Sequence, residues 1–101
     1  MAKIKLVPGT AGMYSFFCPG CGKTHAVYTK QENNQEHPIW GFNGDVNKPT
    51  FTPSVAVLST TKIAGVYRET RCHSFIREGR IEYLPDCDHE LAGQTIEMDE
   101  V

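Results

Sequence analysis

Phe17-Cys18-Pro19-Gly20-Cys21-Gly22 is the stretch on which the reading of this chain turns. Two thiols separated by Pro-Gly can grip one metal ion from a tight turn. Pro19 pre-sets that turn, while Gly20 and Gly22 accept backbone angles that aim amide N–H groups at sulfur. A redox Cys-x-x-Cys opens a helix in a βαβ setting. Here the flanking residues read instead as β-arms, Met13 to Cys18 before the turn and His25 to Lys30 after it. The pattern is a zinc knuckle between two strands.

Working outward, Gly and Pro punctuate further short β-rich runs, and no helical periodicity or internal repeat interrupts them. Ile4 to Val7 is a strand closed by Pro8-Gly9, and Gln31 to His37 is a polar loop. Ile39 to Phe42 precedes Asn43-Gly44, a pair that favours a two-residue hairpin turn. Thr50 to Thr60 is the longest β-branched run, and Pro53 within it marks either an edge or a bend. Gly65 to Arg77 and Arg80 to Leu84 flank Glu78-Gly79 as a second hairpin. Asp88 to Ala92 has room for one helical turn, capped by Asp88 and stopped at Gly93, before a last strand over Thr95 to Met98. The expected fold is mainly β: one small antiparallel domain over residues 1–101, with seven or eight short strands, a zinc-ribbon-like knuckle and at most a short helical turn.

The 101 residues include only 22 Ile, Val, Leu or Phe, a modest core for which a bound metal would be useful. No apolar run approaches the roughly 20 residues of a membrane-spanning helix. The apolar stretch before Pro8 is too short for a secretory signal, so a cytoplasmic location and no membrane partner are expected. The net charge of −2 is unevenly spread. Lys62, Arg68, Arg71, Arg77 and Arg80 make residues 62–81 basic, and from Glu82 onward there are acids without any Lys or Arg. Without a global basic surplus, nucleic-acid binding through these arginines is not favoured.

Two thiols cannot close a tetrahedral site, so further ligands are required. Cys72-His73 lies on a predicted strand, and Cys87-Asp88-His89 follows Pro85 in a turn. Neighbouring strand residues point to opposite faces, so one of Cys72 and His73 is the ligand. One of Cys87 and His89 completes the set. The metal candidates are therefore Cys18, Cys21, Cys72, His73, Cys87 and His89, with Asp86 and Asp88 available to orient a ligand imidazole. Mixed thiolate and imidazole ligands in a redox-neutral site point to Zn2+, and thiolate-rich sites are more often closed and structural. His25 is a weaker candidate ligand, and His37 reads as surface.

Glu90 beside His89 is what a zinc-dependent hydrolase would use, but His-Glu-x-x-His is absent and the zinc-deaminase order of motifs is reversed. Sequence periodicity brings together no nucleophile with a base, no phosphate-cradling glycine loop and no carboxylate pair. Trp40 and Phe42 alternate onto one face that Phe51 can join, forming an aromatic patch that completes a thin core or, alternatively, offers a stacking or peptide-docking surface.

Five motifs stand in order: Cys18-Pro19-Gly20-Cys21-Gly22, Trp40-Gly41-Phe42-Asn43-Gly44-Asp45, Pro49-Thr50-Phe51-Thr52-Pro53-Ser54, Cys72-His73-Ser74-Phe75-Ile76, and Asp86 to Thr95. From about Phe16 to Met98 this set resembles a family of small uncharacterised phage and prophage proteins often labelled "ammonia monooxygenase". The resemblance implies a phage or prophage origin, a zinc-ribbon-like β domain and no established activity. The label itself does not fit a chain with no membrane span and no His-rich copper site. The resulting expectation is a phage-type protein whose structural zinc holds together a non-enzymatic module that binds a protein partner. Its rivals are a zinc-dependent hydrolase using His89 and Glu90, and a nucleic-acid-binding zinc ribbon using Arg68, Arg71, Arg77, Arg80 and the Trp40 patch.

Overall fold

The computed structural model describes residues 2–31 and 37–101, so most of the expected Gln31 to His37 loop lies outside the described residues, as do the side chains of Ser59, Thr61, Lys62, Ile63 and Arg68. Two antiparallel sheets are formed. The first has the order β1 (Lys5–Leu6), β2 (Met13–Cys18), β3 (Lys23–Tyr28). The second has the order β4 (Gly41–Phe42), β5 (Phe51–Ile63), β6 (Val66–Arg77), β7 (Arg80–Tyr83), β8 (Thr95–Glu97). The expected all-β architecture is borne out, and among the described residues there is no helix. Residues 86–93 form turns, so the stretch Asp88 to Ala92 does not wind into the expected helical turn.

Period-2 alternation decides which side chains are covered. Phe16 and Cys18 on β2 are buried while Phe17 between them is exposed, and on β3 His25 and Val27 turn inward. On β6 the inward set is Cys72, Ser74 and Ile76, which leaves Arg71, His73 and Phe75 on the other face. Side chains from both sheets meet in one cluster around Ile4, Phe16, Val27, Phe51, Ile76, Ile81 and Met98. Ile76 and Ile81 are opposed across β6 and β7, and each is fully buried. Ile76→Ala should therefore cost about 2–5 kcal/mol by denaturant unfolding, because a cavity left between two sheets cannot close fully.

Turn chemistry sets the registers. Glu78 and Gly79 both adopt positive φ (48° and 78°), the two-residue turn expected there, and Arg77 pairs with Arg80. Ala64 and Gly65 do the same (51° and 80°), closing the long β5–β6 hairpin. Asn43-Gly44 does not make the expected tight hairpin, because β4 pairs with β5 through Phe42 and Phe51 and leaves an eight-residue connection. The Asn43 side chain is spent inside that loop, its Oδ1 accepting from the Asp45 and Thr50 amides. Pro53 marks both a bend and the point where β5 becomes an edge, since β4 pairs with β5 only at Phe51 and Thr52. Phe51 pairs with Ile76 and Val55 with Ser74, so Thr52, Pro53 and Ser54 together oppose only Phe75. This bulge fixes the position of Ser54.

Candidate functional site

The knuckle is built as the sequence suggests. The Gly22 amide donates to the Cys18 carbonyl at 2.8 Å, and Gly22 adopts a φ of 66° that a side chain would resist. The turn carries Cys18 and Cys21 to the inner face of β6 and to the turn after β7. There Cys72 and His89 complete a group of four ligand atoms, all within 4.8 Å of one another. Cys18 Sγ lies 3.7 Å from Cys72 Sγ, and Cys72 Sγ lies 3.5 Å from His89 Nε2. A tetrahedron with Zn–S of about 2.3 Å and Zn–N of about 2.0–2.1 Å has edges of about 3.8 Å and about 3.5 Å. The Cys18–Cys72 and Cys72–His89 edges already have the lengths such an ion needs.

Charge argues the same way. The neighbouring Cys72 thiol, by hydrogen bonding, draws the Cys18 pKa well down against the opposing effect of burial, and Tyr83 adds to the lowering. The same hydrogen bond, together with burial, pushes the Cys72 pKa far up, and burial raises that of Cys21. Three packed thiols can carry one negative charge among them but not three, unless a cation sits between them. The Cys3His group could hold a metal ion.

The surroundings keep the imidazole in place. The Leu91 amide lies 3.2 Å from Nδ1, which leaves Nε2 turned toward the sulfurs. The Tyr83 ring meets the His89 ring edge-on at 4.6 Å, and its hydroxyl lies 3.1 Å from Cys18 Sγ. A Cβ at Gly20 would fall 2.5 Å from His89 Nε2 and 2.6 Å from Nδ1. Gly20→Ala should therefore push the ring out of place, costing about 1–3 kcal/mol and weakening metal retention in a competition titration with a chelator dye.

His73 and Cys87, also ligand candidates on sequence, lie outside this group. Cys87 is spent on the backbone of His73: its Sγ lies 3.2 Å from the His73 amide and 3.0 Å from the His73 carbonyl. His73 points to the opposite face of β6 from Cys72, and there it meets residues that sequence periodicity did not connect. Its Nε2 is 2.9 Å from Ser54 Oγ, and its Nδ1 is 3.2 Å from Asp86 Oδ2. Asp86, expected to orient a metal-bound imidazole, instead orients this one. An ionised carboxylate only accepts, so Nδ1 carries the proton and Nε2 is left to accept from the serine hydroxyl. A hydroxyl, an imidazole and a carboxylate thus stand in one line.

Each member is held from behind. The Trp40 indole donates to the Ser54 carbonyl at 3.2 Å, tying the bulge to the segment before β4. The turn bearing Asp86 is zipped onto β6: the Leu84 amide donates to the His73 carbonyl (2.9 Å) and the Asp88 amide to the Arg71 carbonyl (2.9 Å). In return the Arg71 amide donates to the Asp88 carboxylate at 2.7 Å. Desolvation raises the Asp86 pKa, but the hydrogen bond and charge of His73, with the charge of Arg71, together more than offset this and leave it lowered. Asp86 stays ionised, as an orienting acid must.

The remaining sequence candidates supply neither a ligand atom of the four-ligand group nor a member of the Ser54–His73–Asp86 line. His25 is buried on β3 with its ring edge-on to Phe16, outside the four-ligand group, and its Nε2 has no hydrogen-bond partner among the described residues. Glu90 is exposed. Arg77 pairs with Glu82, Arg80 with Glu97 and Arg71 with Asp86. Of the expected aromatic patch, Phe42 and Phe51 meet at 5.2 Å between ring centroids and Tyr14 joins them 5.0 Å from Phe42, while the Trp40 indole is bonded to the Ser54 carbonyl. Among the described residues no helix is long and apolar enough to cross a membrane.

The family model described as "bacterial ubiquitination-like system serine protease (BubE)" matches residues 2–84, a span that contains Ser54, His73 and the cysteines at 18, 21 and 72. Neither a curated protein nor a solved structure matches.

Proposed function

The chain belongs to the bacterial ubiquitination-like system serine protease (BubE) family, and from that premise we propose that it is a serine hydrolase cleaving an acyl bond in a polypeptide, with Ser54 as nucleophile, His73 as general base and Asp86 as the residue that orients the base. The observation that carries this reading is the unbroken line from Ser54 Oγ through His73 to Asp86, at 2.9 Å and 3.2 Å.

In the first half-reaction Ser54 Oγ attacks the carbonyl carbon while its proton passes to His73 Nε2. The tetrahedral adduct then collapses, the bond to the leaving group breaks, and His73 hands that proton to the departing amine or alcohol. Water repeats the sequence on the Ser54 ester, giving a proton to Nε2; the adduct collapses, His73 returns that proton to Ser54 Oγ as the ester bond breaks, and the acid is released. Asp86 holds Nδ1–H throughout and stabilises the imidazolium that forms twice per turnover.

Zinc in the Cys18, Cys21, Cys72, His89 group would be structural. Four protein ligands fill a tetrahedron and leave no position for water, which weighs against a metal hydrolase built on His89 and Glu90. The metal would still serve the chemistry by position, since Cys72 adjoins His73 and the turn from Asp86 to His89 carries both the acid and the last ligand. Family and triad together also weigh against a purely non-enzymatic binding module. The pairing of Arg71, Arg77 and Arg80 with acids gives nucleic-acid binding no support.

Incubation with a fluorophosphonate probe followed by peptide mapping tests the assignment. The adduct should fall on Ser54 alone and should vanish after heat denaturation; a native protein that never labels would sink the reading. Asp86→Asn should retain the fold and lower kcat by roughly 10³–10⁴-fold, because the amide stabilises the wrong imidazole tautomer.

A further inference from the structure

Immediately beyond Ser54 the second sheet loses a strand. β4 covers β5 only at Phe51 and Thr52, whereas β6 pairs with β5 from Val55 through to Ile63. Among the described residues nothing pairs with the other edge of β5 over residues 55–63, and no loop sends a backbone hydrogen bond to it. Alternate amide and carbonyl groups along that edge therefore face outward, a template for one more strand.

The face beside this edge is the face of the triad. Ala56 is directly opposite His73 and Leu58 directly opposite Arg71, so both side chains share the side of the sheet on which Ser54 meets His73. Ala56 is exposed and small, and Leu58 is 59 % exposed. From Ser54 to Leu58 is four residues, about 13 Å along the strand.

Resting on the serine hydrolase reading, we infer that the open edge of β5 from Val55 onward is where the substrate docks, as an extended polypeptide segment added to the sheet. The occupant follows from continuity. An acyl bond delivered to Ser54 Oγ enters at the point where the edge opens, so chain on one side of that bond runs alongside residues 55–58. Main-chain hydrogen bonds then supply affinity without regard to sequence. Side chains at every second substrate position lie beside Ala56 and Leu58 and favour apolar residues there.

Capped oligo-alanyl esters of one to five residues test this. One series is lengthened on the acyl side as p-nitrophenyl esters, the other on the leaving-group side of an internal ester, and fluorophosphonate labelling of Ser54 is measured on the same full-length protein. In one series kcat/KM should climb at least tenfold between one and four residues. N-methylation of every second amide should cancel that gain, and N-methylation of the intervening amides should not. Labelled Ser54 with a flat length dependence in both series, or a gain indifferent to which amides are methylated, overturns strand docking and leaves the hydrolase reading standing. Failure of Ser54 to label overturns both.

Discussion

Ser54→Ala should lower ester and peptide hydrolysis by roughly 10⁴-fold or more while leaving the metal stoichiometry and the cooperative melt in place. The magnitude follows from the mechanism: without the nucleophile the acyl-enzyme route is closed, and only substrate binding and polar stabilisation of the transition state remain. The small structural cost follows from the position. Ser54 is partly exposed, and its side chain contributes one hydrogen bond, worth about 0.5–1.5 kcal/mol, to His73. Steady-state rates and a thermal melt on the same preparation separate the two effects. A variant that still turns over at near wild-type rate would end the triad assignment, whatever its stability.

Removing the metal should do the reverse, taking stability and activity together. The Cys3His group joins the β2–β3 turn, β6 and the turn after β7. Structural zinc can supply about 10–16 kcal/mol in small peptides, as much as the whole stability of an ordinary domain. Chelation, or Cys18→Ser, is expected to abolish the cooperative transition and reduce hydrolysis in proportion to the zinc lost. His73 and Asp86 depend on the same segments that hold Cys72 and His89. Readdition of zinc to the chelated wild type should restore both signals. A metal-free protein with an unchanged melting temperature and rate would remove the metal centre from this account.

Much of this was legible in the sequence, and the illegible remainder has a common cause. The strands could be read because alternation and turn residues are local properties: Met13 to Cys18 is bounded as the sequence suggests, and Glu78-Gly79 turns as it should. The knuckle could be read because two cysteines around Pro-Gly are rare without a purpose. The triad could not be read in the same way. Ser54 and His73 are 19 residues apart and His73 and Asp86 a further 13, on three different segments, and each taken singly passes for a polar surface residue. Their meeting depends on strand register and on a bulge that displaces Ser54 relative to β6, and neither is encoded within a short window. One signal was nonetheless present: Pro53 interrupts an otherwise continuous β-run beside a serine, and bulges of this kind are over-represented next to active sites. The same dependence on register explains the division of the late candidates. Alternation left a choice between Cys72 and His73, and β6 answers it by using both, one on each face.

That back-to-back arrangement makes β6 intolerant of a kind of change that most surface strands absorb. Exchange of an outward side chain such as Phe75 alters only its own surroundings. Loss or gain of a single residue upstream of Cys72 would instead rotate the strand by half a period, sending the imidazole into the sulfur cage and the thiol out to Ser54. Both centres would fail at one stroke. In a library of variants, in-frame deletions and insertions between Val66 and Cys72 should therefore divide by parity: one-residue changes are null for catalysis and for metal alike, and two-residue changes that shorten or lengthen the far end of the hairpin survive.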